Sequence, residues 1–132
     1  MAGTLQFDLV SPERRLASVE ATQVQIPGME GDLTAMPNHA PFLTTLRPGV
    51  VRVTSAAGTD EYVVTGGFAE ISPTATSVLA ELAVPRADAD AAMLADLQSQ
   101  AETALAEAPE DMKMAASQRL RDVQALRTQL RL

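Results

Sequence analysis

Three places in the chain combine residue types that could do chemistry. Glu30 and Asp32 flank Gly31, two carboxylates near enough in sequence to share acid–base work. His39 is the one histidine and lies in Pro37-Asn-His-Ala-Pro41, where it could act as a general base or a metal ligand. Gly66-Gly67 offers backbone bare enough to approach a phosphate. Each has a plainer account. The carboxylates read as a polar loop between strands, and His39 reads as a turn residue whose ring hydrogen-bonds the backbone. No helix pattern follows Gly66-Gly67, so a tight turn or bulge suits it better than a phosphate cradle. With no cysteine, the chain has no thiol nucleophile, disulfide or thiolate metal site, and one histidine cannot build a multi-histidine centre. No G-x-S-x-G, G-x-x-x-x-G-K-[ST], G-x-G-x-x-G or H-E-x-x-H motif occurs. The expectation is an interaction module with no catalytic residues, metal or cofactor.

The elements that position these residues fall into two compositions. The chain has 132 residues, 46% of them hydrophobic, with a formal net charge of -7. That is room for one ordinary domain, or a small one with an appendage. The acidic balance argues against a nucleic-acid partner, and no apolar run is long enough for a membrane helix. All seven glycines, and the four aromatics Phe7, Phe42, Tyr62 and Phe68, lie before Pro85. Valine, isoleucine and threonine crowd the same stretch, whereas alanine dominates from Ala87 onward. Residues 1–85 therefore read as strands and turns, and residues 86–132 as helix.

In the first segment, Leu5, Phe7 and Leu9 alternate at period two. Strand runs follow around Val24 and Ile26, then over 49–54, 61–65 and 76–82. Turn signals separate them at 11–14, 27–31, 37–41, 48–49, 57–60, 66–67 and 72–74. Eight to ten short strands at this spacing read as an antiparallel sandwich or barrel. The second segment reads as a helical hairpin. Asp88 is the expected N-cap, with Asp90 in the first turn of a helix 22 residues long. Leu94, Leu97, Ala101, Leu105 and Ala108 form one stripe, and Ala116, Leu120, Val123, Leu126 and Leu130 a second. Pro109 divides them and can open the second helix in its first turn. Residues 87–112 carry seven acids and no base, while 113–132 carry five bases and one acid. Helices so polarised can pair with each other, or the basic one can engage an acidic partner.

The loop Gly28-Met-Glu-Gly-Asp-Leu-Thr-Ala-Met-Pro-Asn-His-Ala-Pro-Phe-Leu-Thr-Thr-Leu-Arg-Pro-Gly49 is long and specific. With Tyr62-Val-Val-Thr-Gly-Gly-Phe-Ala-Glu70 and Val78-Leu-Ala80, it closely resembles the epsilon subunits of bacterial F-type ATP synthases over essentially the whole chain. The resemblance implies a flattened sandwich of about ten strands carrying two antiparallel C-terminal helices. It also implies a non-catalytic subunit of the central stalk, rotating with it and joining the gamma subunit to the ring of c subunits. The ring-contacting positions of the family correspond to Glu30, Gly31 and Asp32 and to Asn38, His39, Ala40 and Pro41. The hairpin is implied to be regulatory: when extended, its basic residues Arg119, Arg121, Arg127 and Arg131 meet the alpha/beta catalytic hexamer and restrain ATP hydrolysis.

Relatives that bind ATP beside the hairpin carry an [IL]-D-x-x-R-A pattern. Here the matching stretch is Ala89-Asp-Ala-Ala-Met-Leu94, which keeps Asp90 but has Met93 and Leu94 in place of Arg and Ala. Losing the guanidinium removes a phosphate-facing charge, so no nucleotide site is expected. The alternative reading is a free-standing, ATP-sensing binding module. Met1-Ala-Gly-Thr-Leu5 shows no basic, apolar leader pattern. With the resemblance, this implies a peripheral protein on the cytoplasmic face of the bacterial membrane.

Overall fold

Alternating apolar side chains along short segments favour half-buried strands, and the first part of the chain uses that pattern throughout. The computed structural model describes residues 3–132. Ten strands follow one another: β1 (Leu5–Val10), β2 (Arg15–Ala21), β3 (Gln23–Gly28), β4 (Gly31–Ala35), β5 (Phe42–Leu46), β6 (Gly49–Ser55), β7 (Gly58–Val64), β8 (Gly67–Ile71), β9 (Ala75–Ala80) and β10 (Ala83–Pro85). Two helices complete the chain, α1 (Ala91–Glu107) and α2 (Lys113–Leu130). Two compact units result, one ending at Arg86 and one running Ala87–Leu132.

The strands pair in the order β10-β7-β6-β3-β5-β8-β9-β1-β2, with β4 added to β3 as an edge strand. Leu5, Phe7 and Leu9 of β1 enter the core with Val24, Ile26, Val51, Val53, Ala69, Ile71 and Val78. One pairing departs from the antiparallel expectation, because β1 runs parallel to β9, Phe7 opposite Thr76. Strands β2, β4, β5 and β8 occupy stretches outside the strand runs named from the sequence.

The run 76–82 stops short, and a further strand lies beyond it. Strand β9 ends at Ala80 and β10 crosses to pair with β7, Ala83 opposite Val64. The crossing is tied by Glu81 N–H to the Gly66 carbonyl at 3.0 Å and Thr65 N–H to the Leu82 carbonyl at 3.2 Å. Gly67 lies at φ +117°, where a Cβ would stand 2.0 Å from the Leu79 carbonyl oxygen. This close approach of two backbones requires glycine at Gly67, whereas a Cβ at Gly66 would meet the Glu81 carboxylate at 2.9 Å.

In the second unit, the buried residues are Leu94 and Ala101 of α1 and Val123 and Leu126 of α2, all on the expected stripes. Helix α1 has 17 residues and begins later than the composition suggests. Asp90, not Asp88, is its N-cap: Asp90 is extended at φ -128° and ψ 174°, and its carboxylate accepts the Met93 N–H at 2.8 Å. Asp88 falls in a 3-10 turn over Arg86–Asp88. After Pro109 a second 3-10 turn, Glu110–Met112, leads into α2. Helix α2 closes on Arg131 in the left-handed region, with Leu132 N–H returning to the Arg127 carbonyl at 2.9 Å.

Candidate functional site

The hairpin joining β3 to β4 is a two-residue tip, Met29-Glu30, between the paired residues Gly28 and Gly31. A side chain at Gly28 would meet the Gly31 carbonyl oxygen at 2.7 Å, and Gly31 itself sits at φ +141°. Glycine at both positions lets the chain reverse in so little space. The tip is also tied sideways to β5, where Met29 N–H donates to the Thr45 carbonyl at 2.8 Å. Arg47, just past β5, donates to the Gly28 carbonyl at 2.5 Å and forms an ion pair with Asp32. Its own N–H reaches the Pro27 carbonyl at 3.0 Å. Glu30 is exposed and makes no ion pair among the described residues. Arg47 is the residue that sequence reasoning missed. It is one of only four bases before Pro85, but its partners become visible only when β3 and β5 are set side by side.

The second expected segment is built differently. Asn38 adopts the left-handed conformation at φ 70°, and its N–H donates to the Pro73 carbonyl at 2.8 Å. His39 N–H closes a turn onto the Met36 carbonyl at 3.1 Å. The His39 ring donates from Nδ1 to the Ala40 carbonyl at 2.6 Å, so that imidazole serves the backbone of its own turn. The two segments do not form one cluster. They sit at opposite ends of β4, whose five residues span about 16 Å. A partner lying along this edge strand would meet both, whereas one touching a single end would meet only one.

Among the four arginines of α2 and its end, Arg127 reaches across to the other helix. It donates to Gln98 of α1 at 2.9 Å and to the Leu132 carbonyl at 3.0 Å. Arg121 bonds Ser117 and Gln118 on its own helix, both at 2.8 Å. Arg121 also lies about 200° round the helix from Arg119. The four are thus not on one face. The Asp90 carboxylate is taken up by the helix cap described above, and Met93 supplies the N–H it receives.

The family described as ATP synthase, Delta/Epsilon chain, beta-sandwich domain matches residues 4–86. An ATP synthase epsilon chain of Fuscovulum blasticum is 58% identical over 127 residues, which are 96% of each chain. One of Rhodobacter capsulatus is 53% identical over the full length of both. The chain belongs to the ATP synthase epsilon family. The family's fold extends to distant structures. A chain in a structure of the Euglena gracilis mitochondrial ATP synthase, comprising OSCP, F1 and c-ring, superposes with a TM-score of 0.75 at 21% identity. That match covers 98% of this chain and 83% of the other.

Proposed function

We propose that this chain is the non-catalytic central-stalk subunit of an F-type ATP synthase, joining the gamma subunit to the c-ring. In that place it couples proton translocation to ATP synthesis. The full-length similarity to ATP synthase epsilon chains, 53% identity over every residue of both, is the observation that carries the reading. The sandwich is the docking domain, over 1–85, and the hairpin, over 86–132, is the regulatory one. Ring contact runs along the β4 edge, from Glu30, Gly31 and Asp32 at one end to Asn38, His39, Ala40 and Pro41 at the other. Both ends are pinned by backbone hydrogen bonds, so docking there costs little ordering entropy. Arg119, Arg121, Arg127 and Arg131 are the residues that meet acidic segments of the alpha/beta hexamer when the hairpin extends. Among the described residues, no helix is long and apolar enough to cross a membrane. On this reading the chain sits on the cytoplasmic face of the bacterial membrane by docking on other subunits.

The deciding experiment removes the chain from its own ATP synthase and restores it. Membranes lacking it should lose ATP-driven proton pumping, and the purified chain should restore pumping and co-purify with gamma. Normal pumping in its absence would sink the proposal.

A further inference from the structure

The β3–β4 tip is held from both sides by one residue outside it. The Arg47 guanidinium reaches the carbonyl of Gly28, before the tip, and the carboxylate of Asp32, after it. Among the described residues, edge strand β4 pairs with β3 alone, and on the β5 side the turn is held by backbone bonds from Met29 to Thr45 and from Arg47 to Pro27. An exposed ion pair by itself contributes little. A planar guanidinium that also satisfies a backbone carbonyl fixes geometry, which a lone surface pair does not. The pair also sets the charge of the tip. Asp32 is matched by Arg47, while Glu30 projects with no ion-pair partner among the described residues.

We propose that Arg47 is a positioning residue for docking: it clamps the tip in one shape and takes up the charge of Asp32, leaving Glu30 to meet a cationic group on the partner. This rests on the reading of the tip as a ring contact. It also separates two carboxylates that look equivalent in sequence. A change at Asp32 disturbs the clamp and so the shape of the tip, whereas a change at Glu30 disturbs only what the tip presents.

The test combines two measurements, one on the full chain and one on the assembled ATP synthase. In the full chain, Arg47→Ala should speed amide hydrogen exchange across Met29–Asp32 about tenfold relative to the β1 and β6 amides. Asp32→Asn should give a smaller change in the same direction, and Arg47→Lys, which keeps a cation beside Asp32, should restore most of the protection. In the assembled enzyme, Arg47→Ala should lower proton pumping per ATP hydrolysed about twofold, with recovery in Arg47→Lys. Glu30→Lys should lower pumping without changing exchange. Unchanged exchange in Arg47→Ala would overturn the clamp. Faster exchange with intact pumping, while Glu30→Lys still impairs pumping, would overturn the docking role of Arg47 and leave the ring contact standing. Intact pumping in both variants would instead remove the ring-contact reading itself.

Discussion

Thr76 carries a hydroxyl into the centre of the sandwich. It lies opposite Phe7 and Ile71, is fully buried, and its Oγ1 has no hydrogen-bond partner among the described residues. A buried hydroxyl left unpaired costs more than the methyl group that could replace it. Thr76→Val keeps the shape and should stabilise the chain by about 1 kcal/mol, raising the melting temperature by a few degrees. A lower melting temperature would mean that the hydroxyl contributes to the fold. Tyr62 makes the opposite case, a polar group that the fold keeps neutral. Burial pushes its phenol above the ordinary value of 10.0, and the nearby Asp60 carboxylate adds to the shift. The folded state thus binds that proton more tightly than the unfolded one. Its contribution to stability is complete below pH 10.0 and is lost as pH rises through the higher folded value. Denaturation curves between neutral and strongly alkaline pH should therefore fall less steeply for Tyr62→Phe than for the parent chain.

At the scale of elements, periodicity read well wherever one face is buried. Leu5, Phe7 and Leu9 alternate because every second residue of β1 meets the core. Strand β2 was not legible, since Arg15-Leu-Ala-Ser-Val-Glu-Ala21 buries only its last residue and lies at an edge of the sheet. The parallel pairing of β1 with β9 joins segments about 70 residues apart, and nothing local in either strand specifies its partner. The segments proposed to dock divide the same way. Glu30, Asp32 and the Asn38–Pro41 turn stand out by residue type, but strand pairing alone brings Arg47 to the proposed site. The start of α1 was misplaced for a related reason. Asp88 and Asp90 are equally good cap residues, and only backbone geometry chooses between them. Asp90→Ala should therefore destabilise the helical unit by about 1 kcal/mol. Asp88→Ala should leave it nearly unchanged. Helix-specific amide exchange in the two variants distinguishes them, and equal effects would contradict the cap at Asp90.

Across the whole molecule, charge and structure divide together. The -7 of the chain splits into -5 for residues 1–85, -6 for 86–112 and +4 for 113–132. The two compact units divide after Arg86, and that residue belongs to the sandwich: its Nη1 bonds both carboxylate oxygens of Glu61, at 2.9 and 3.1 Å. A chain ending at Arg86 keeps that interaction and the whole of β10, so it should still melt in one cooperative step. Its core residues, Leu5 through Ala83, all lie within the part retained. Incorporated into the ATP synthase, the shortened chain should support pumping, because both ends of the β4 edge remain. What it lacks is the polarised hairpin, and with it the basic residues proposed to reach the catalytic hexamer. If the hairpin restrains hydrolysis, ATP turnover by the shortened complex should rise about fivefold or more, the scale of a typical coupling between distant sites. High salt should raise turnover in the full-length complex toward the same value, since screening weakens contacts made by exposed arginines. Identical turnover with and without residues 87–132 would remove the regulatory role while leaving the sandwich as the coupling part.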